Sequence, residues 1–380
     1  MAENEKAPKE PAKETFGAKD RLWIPRFWDG MNISGWFSLL KRNRFVISPS
    51  CIAMAVIIAV LSFINSFLWA IQQLFLGRKI EETEIDHPPI FIIGHWRSGT
   101  TLLHELLVLD EQHAYPDTYD CFAPNHFLLS AWWLKRCIGF LLPARRPMDN
   151  MAAGWDRPQE DEFALCNMGL RSPYLSIVFP NHPPQDQEYL DFEGVSEEDT
   201  SRWKQGLLWF LKCITYRTGK RIILKSPPHT ARIKVLQELF PEARFIHIVR
   251  DPYVLFPSTI NLWSRLNKDQ GLQVDRKEHL QEYVFETFQR MYRAYDKHRE
   301  SIDPSRFHEV RYEDLVADPE GQMSQVYEAL GLENFEALRP ALQQYAEDHK
   351  DYKTNRYEIT PEIREQIEER WGFYAQRYGY

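Results

Sequence analysis

Between residues 91 and 107 an apolar run, Phe91-Ile92-Ile93, breaks at Gly94 and passes through His95, Trp96, Arg97 and Ser98 to Gly99. A helical pattern then opens, with Leu102, Leu103, Leu106 and Leu107 on one face. A strand, a glycine-bounded loop and a helix in that order aim backbone N–H groups and a helix N-terminus at one spot, which makes an anion cradle. The spacing is that of a Walker loop, Gly94-x4-Gly99 followed by Thr100-Thr101. Thr100 stands where a nucleoside-triphosphate enzyme carries its lysine, and the cation lies inside the loop as Arg97. The loop is therefore expected to hold a phosphate-like group without the lysine that serves a γ-phosphate.

After Pro88-Pro89, short β-rich runs alternate with helical patterns. Ile90–Gly94, Ile222–Lys225, Phe245–Val249 and Phe307–Arg311 read as strands, and Thr101–Val108 and Thr230–Leu239 as helices. This alternation predicts parallel βαβ units and hence the α/β class. Ligands in such sheets bind outside the carboxyl ends of the strands. The cradle, Lys225 and Arg250 all fall at such ends, so they can converge on one crevice. No internal repeat or long linker divides residues 85–380, which read as one catalytic domain.

The formal charge of −8, from 46 Lys and Arg against 54 Asp and Glu, excludes the basic surplus of a nucleic-acid binder. Any polyanion must be held by local basic clusters. Cys51, Cys121, Cys137, Cys166 and Cys213 are scattered and form no Cys-x-x-Cys pair, which argues for a reducing compartment. No metal-ligand spacing occurs, so no metal is expected.

Residues 1–44 form a polar N-terminal region whose first twenty residues, rich in Lys, Glu, Ala and Pro, are expected to be disordered. From Phe45 to Gly77 no residue is charged, and Cys51–Ala70 is long enough to cross a bilayer core of about 30 Å. Three readings stand side by side: a single span, a membrane-dipping hairpin bent near Asn65-Ser66, and a helix packed on the catalytic domain. Lys41, Arg42 and Arg44 precede the block while Arg78 and Lys79 follow it, so the flanking charges leave orientation open. The one glycosylation sequon, Asn32-Ile33-Ser34, precedes the apolar block, which favours a membrane-associated enzyme facing the cytoplasm. A second apolar stretch, Ala131–Pro143, carries Trp132, Trp133, Lys135 and Arg136; it suits a membrane contact, a cleft cap or a helix packed on the core.

A second anion site follows the run Phe245–Val249. Arg250 and Ser258 are spaced from a strand end to the second turn of the next helix, so a guanidinium fork and a hydroxyl can reach one phosphate. With both sites in view, the chain resembles the sulfotransferases that use 3′-phosphoadenosine-5′-phosphosulfate (PAPS). Arg97-Ser98-Gly99-Thr100-Thr101 resembles their 5′-phosphosulfate loop, and Arg250 with Ser258 their 3′-phosphate site. Leu224-Lys225-Ser226-Pro227, with Leu239-Phe240-Pro241 and Arg250-Asp251, resembles the arrangement in tyrosylprotein sulfotransferases. The G-x-x-R-S-G-T-T form of the loop is that of a broad, mostly bacterial branch, and Arg311-Tyr312-Glu313-Asp314-Leu315 looks like another family motif.

The resemblance implies a P-loop-like three-layer fold with a central, mostly parallel sheet, and a sulfuryl transfer from PAPS to a hydroxyl. The apolar segment and the aromatic-rich 131–143 stretch suggest, from location, a membrane-associated lipid or glycan as its bearer. Arg97 and Lys225 are the candidates for holding the oxygen that bridges sulfur to the 5′-phosphate. Related enzymes place a base soon after the first helix, where Asp120 is the leading candidate and Asp117 the reserve. Glu160 or Glu162, in Arg157-Pro158-Gln159-Glu160-Asp161-Glu162, can orient that base or act as it. His95 and His229 also flank the site. Lys353 and Arg356 are candidates for a basic segment closing over the nucleotide. A nucleotide kinase using the same loop, and a membrane-attached binding protein without turnover, are the competing readings; the lysine missing at Thr100 speaks against the first, and the set Arg97, Lys225, Arg250 and Ser258 against the second.

Overall fold

A computed structural model describes residues 25–138, 154–276, 279–349 and 357–380. Strands β1 (Ile90–Ile93), β2 (His113–Ala114), β3 (Arg221–Lys225), β4 (Arg244–Val249) and β5 (Phe307–Arg311) form one sheet in the order β2-β3-β1-β4-β5. All four pairings are parallel, with Ile92 beside Lys225 on one side of β1 and Ile93 beside His247 on the other. The chain fills the β3 side of β1 first and later crosses to β4. β1 is thus the switch point, and the crevice opens outside its carboxyl end. Four strands follow the β-rich runs of the sequence; the two-residue β2 is too short to leave a pattern.

The helices preceding the third strand are α1 (Ile33–Arg42), α2 (Ile52–Glu81), α3 (Thr100–Leu107), α4 (Thr118–Phe122), α5 (Phe127–Ile138), α6 (Asp161–Asn167) and α7 (Glu197–Thr218). Those that follow are α8 (Ile233–Leu239), α9 (Pro252–Gln270), α10 (Leu280–Arg299), α11 (Tyr312–Ala317), α12 (Pro319–Ala329), α13 (Phe335–Asp348) and α14 (Pro361–Tyr378). A parallel sheet must be covered on both faces, and alternate strand residues show how. Ile90, Ile92, Ile223, Ile246 and Ile248 pack against Leu103, Leu106 and Leu107 of α3 and Met323 and Val326 of α12. Phe91, Leu224, Phe245 and Val249 face the other way, into the larger core with Phe288 and Met291 of α10. This is the expected three-layer α/β architecture.

Of the three readings of the apolar N-terminal block, the structure bears on the bent hairpin. The chain reverses at Arg44 and Phe45, at φ 52° and 54°, and α2 then runs unbroken for 30 residues through Asn65 and Ser66. There is no hairpin. Asn65 spends its side chain on tertiary contacts, donating to the Asp29 carbonyl at 2.7 Å, and Gln72 donates to the Asn125 carbonyl at 3.1 Å. Ser62, Asn65 and Gln72 are buried among the domain's helices, so α2 packs along the catalytic domain.

Candidate active site

The cradle is built by backbone conformations that few side chains tolerate. Gly94, Arg97 and Gly99 have φ of 149°, 70° and 106°. A Cβ on Gly94 would lie 2.6 Å from the Ile248 carbonyl oxygen, and one on Gly99 would overlap the Tyr312 ring. Arg97 accepts a left-handed backbone without being glycine, a strain of about 1–3 kcal/mol of the kind found at ligand-holding loops. The loop is anchored from β1, where the Gly94 amide donates to Thr230 Oγ1 at 2.7 Å. Gly99 caps α3 with no side chain, so the first amides of that helix stay open to a ligand. Ser98 Oγ is buried and has no hydrogen-bond partner among the described residues. An open helix end and an orphaned buried hydroxyl fit a bound anion.

Arg250 reaches this loop directly. Its Nη1 donates to the Arg97 carbonyl at 2.8 Å, and its guanidinium lies 4.0 Å above the ring of Tyr312. Tyr312 belongs to the Arg311–Leu315 motif, which in the sequence carried a resemblance but no role. Ser258, buried in the second turn of α9, accepts from Arg97 Nε at 2.9 Å. The helix is started for it by Asp251, whose side chain caps the Tyr253 amide, and by Pro252 at the first position. Arg97, Arg250 and Ser258 therefore form one cluster, and the Arg97 side chain turns toward Ser258.

Lys225 stands on the other side of β1. Its ammonium, fully buried, bonds Glu160 Oε1 at 2.8 Å and Thr101 Oγ1 at 3.4 Å, joining the start of α3 to a carboxylate. Glu160 keeps 16% of its side chain exposed and accepts from the Tyr174 hydroxyl at 2.5 Å, while Tyr174 accepts from Trp96 Nε1 at 2.8 Å. Burial, then the charge on Glu160, push the Tyr174 phenol well above its ordinary range, so it remains a donor.

The other acids have settled partners. Asp120 is fully buried, held by both terminal nitrogens of Arg217 at 2.6 and 2.5 Å, and it closes a capping box with Asp117 at the start of α4. Asp117 pairs with Lys135 at 2.5 Å. Glu162 is locked between Arg232 and Ser172 with no exposure. Burial works against the charge on Asp161, yet His229 at 2.7 Å and Ser226 at 2.8 Å bring its pKa below the ordinary value. His95 is buried with its Nδ1 on the Trp96 carbonyl, and burial drives its pKa to about 3, which leaves it neutral. Lys353 and Arg356 lie outside the described residues, as does the end of the 131–143 stretch.

A cavity of about 370 Å³ lies beside α3 and the segment leading to Glu160. Glu105, Tyr115, Trp155, Arg157 and Tyr345 line it. Sequence reasoning gave no sign of Tyr174, Arg217 or Arg232, because each works through a partner more than ten residues away in the chain.

The geometry can now be set beside known proteins. The sulfotransferase family profile matches residues 88–337. The chain is 50% identical, over 360 residues, to the omega-hydroxy-beta-dihydromenaquinone-9 sulfotransferases Stf3 of Mycobacterium bovis and Mycobacterium tuberculosis, covering 95% of this chain and 92% of theirs. In fold it is similar to the sulfotransferase STF9 of Mycobacterium avium, with a TM-score of 0.65 and 19% identity over 92% of this chain and 96% of that one. A TM-score of 0.63 and 18% identity relate it to STF1 of Mycobacterium tuberculosis, over 94% of this chain and 93% of that one.

Proposed function

The chain belongs to the sulfotransferase family and is a sulfotransferase, and from that premise we propose that it moves a sulfuryl group from PAPS to the terminal hydroxyl of a membrane-resident, menaquinone-like lipid. The acceptor is suggested by the relatives that share half of its residues, whose own substrate is a hydroxylated dihydromenaquinone. The observation that carries the donor is the pair of cation clusters on either side of β1, Arg97–Arg250–Ser258 and Lys225–Glu160.

PAPS would supply an activated sulfuryl group joined to its 5′-phosphate, with a separate 3′-phosphate across the ribose. The open amides at the start of α3 and Ser98 Oγ suit its 5′-phosphosulfate, and Arg250 and Ser258, with the side chain of Arg97, suit its 3′-phosphate. With Arg97 turned to the second cluster, Lys225 is the cation for the charge that builds on the departing oxygen. Glu160, in place of Asp120, is the carboxylate for the proton of the acceptor hydroxyl, since among the described residues it alone of the acids bonds Lys225, and it keeps access to solvent. Tyr174 fixes its free oxygen.

A thermal-shift titration with adenosine 3′,5′-bisphosphate against ATP–magnesium tests the donor. Stabilisation by the bisphosphate alone is expected, and stabilisation by ATP alone would return the loop to a kinase reading. Release of the bisphosphate from PAPS on adding a long-chain hydroxyprenyl quinone tests the acceptor.

A further inference from the structure

We propose that α2, with its neighbours α1 and α5, is an in-plane membrane-docking face that seats the catalytic domain on an anionic lipid surface and does not cross the bilayer. The proposal rests on the membrane-lipid acceptor for its purpose, but its argument comes from a different part of the molecule.

The polarity of α2 is inverted. On a soluble surface helix the apolar stripe faces the core and polar residues face water. Here the polar residues Ser62, Asn65 and Gln72 face the domain together with Ala55, Ile58 and Ile80, while Val56, Val60, Phe63, Phe67 and Leu74 recur on the outer face with Phe63 at 68% and Leu74 at 79% exposure. The neighbouring helices extend that face. α1 begins against α2 through the Ile33 amide and Ser66 Oγ at 2.9 Å and exposes Phe37, which packs edge-on against exposed Phe45. α5 adjoins α2 where the Leu129 amide meets Gln72 Oε1 at 3.3 Å, and exposes Trp132 at 71%. An apolar face built from three helices exceeds what a monomer in water ordinarily shows.

Charge identifies the occupant. Between residues 30 and 80 the chain has five cations, Lys41, Arg42, Arg44, Arg78 and Lys79, and no acid, although the whole chain carries −8. Exposed Lys41 and Arg44 lie at the start of α2 and exposed Arg136 near the end of α5. At the far end of α2 Lys79 is followed by exposed Glu81 and Glu82, with Arg78 paired to Glu82 at 2.7 Å, so the positive margins are those at Lys41, Arg44 and Arg136. Cations at the margins of an apolar face match acyl chains edged by anionic headgroups. A second copy of an acidic chain offers no such complement. Spanning conflicts with the contacts: α2 is about 45 Å long at 1.5 Å per residue, and its middle, at Asn65, is bonded to the Asp29 and Met31 carbonyls. A bilayer centred on that helix would have to engulf the domain.

Co-flotation of the full chain with phosphatidylcholine vesicles, with and without phosphatidylglycerol, tests the face. Nitroxide labels on Val56→Cys, Phe67→Cys and Leu74→Cys, in a Cys51→Ser and Cys137→Ser background, report depth. Binding should rise at least about tenfold with phosphatidylglycerol, all three labels should sit at one shallow depth, and Phe63→Asp with Phe67→Asp should lower binding roughly a hundredfold. The double variant must still be stabilised by adenosine 3′,5′-bisphosphate, which shows that it folds. Labels graded across the bilayer, flotation unchanged in the double variant, or a wild-type dimer that the double variant splits without any effect on flotation would each overturn the proposal. A chain that never floats yet turns over PAPS with a dispersed hydroxyprenyl quinone would overturn the docking face and leave the proposed function intact.

Discussion

Two acidic segments compete for the same chemical role, residues 117–120 and residues 160–162, and the structure treats them differently. Asp120 spends both oxygens on Arg217, and Glu162 spends both on Arg232. Glu160 is held by one lysine and one phenol and keeps an open edge. Glu160 has both oxygens bonded as well, but a fully buried carboxylate paired with a guanidinium cannot take up a substrate proton without leaving that cation unmatched. A partly open carboxylate beside a cation is poised to exchange partners. Contact with solvent, more than proximity in sequence, is what singles out Glu160 as the proposed base.

That contrast can be broken most directly by Glu160→Gln. Its kcat should fall about 10²–10⁴-fold, with the melting temperature and bisphosphate binding retained; an unchanged rate would remove Glu160 from the chemistry. Glu162→Gln should act on the fold, costing about 3–5 kcal/mol in urea unfolding because Arg232 would be left fully buried without its partner. Asp120→Asn belongs to the same class but should cost less, about 3 kcal/mol, since Arg217 keeps 31% of its side chain in contact with water. Its rate per folded molecule should stay close to that of the parent, and a large loss in kcat with normal stability would restore Asp120 as the base. On the donor side, Ser258→Ala should weaken bisphosphate binding about tenfold, a hydrogen bond to a charged group, as read by calorimetry.

The smallest effect concerns pH. Burial, then the charge of Asp120, push the Asp117 carboxyl up to about 7 against the pull of Lys135. The native chain then keeps a proton that the unfolded chain, with a carboxyl near 3.8, has released. Stability should decline as pH rises through this interval, because the native state binds more protons than the unfolded state there. Asp117→Asn, which still caps α4, should flatten the slope in melting temperature against pH.

The residues proposed for the donor side stand out in the sequence because their signals are local. Gly94, Arg97, Gly99 and Thr100 lie within one turn and one loop, and Arg250 and Ser258 within one strand end and two helical turns. The acceptor side was not legible in the same way. Lys225 and Glu160 are sixty-five residues apart, and Tyr174 enters from a 3-10 turn whose sequence carries no mark of a site. The apolar block shows the same limit. Its length and composition admitted three placements, and hydrogen bonds from Asn65 and Gln72 to distant carbonyls show which of its faces meets the domain.

The sequence by itself determined the parallel α/β sheet, the strand–loop–helix cradle and the positions of its cations, since periodicity, glycine and spacing act over a few residues. Tertiary structure alone decided which acid meets Lys225, where the Arg97 side chain turns, and which face of α2 is left bare. Those outcomes depend on which distant groups satisfy one another's charges and hydrogen bonds once burial removes water as the alternative partner.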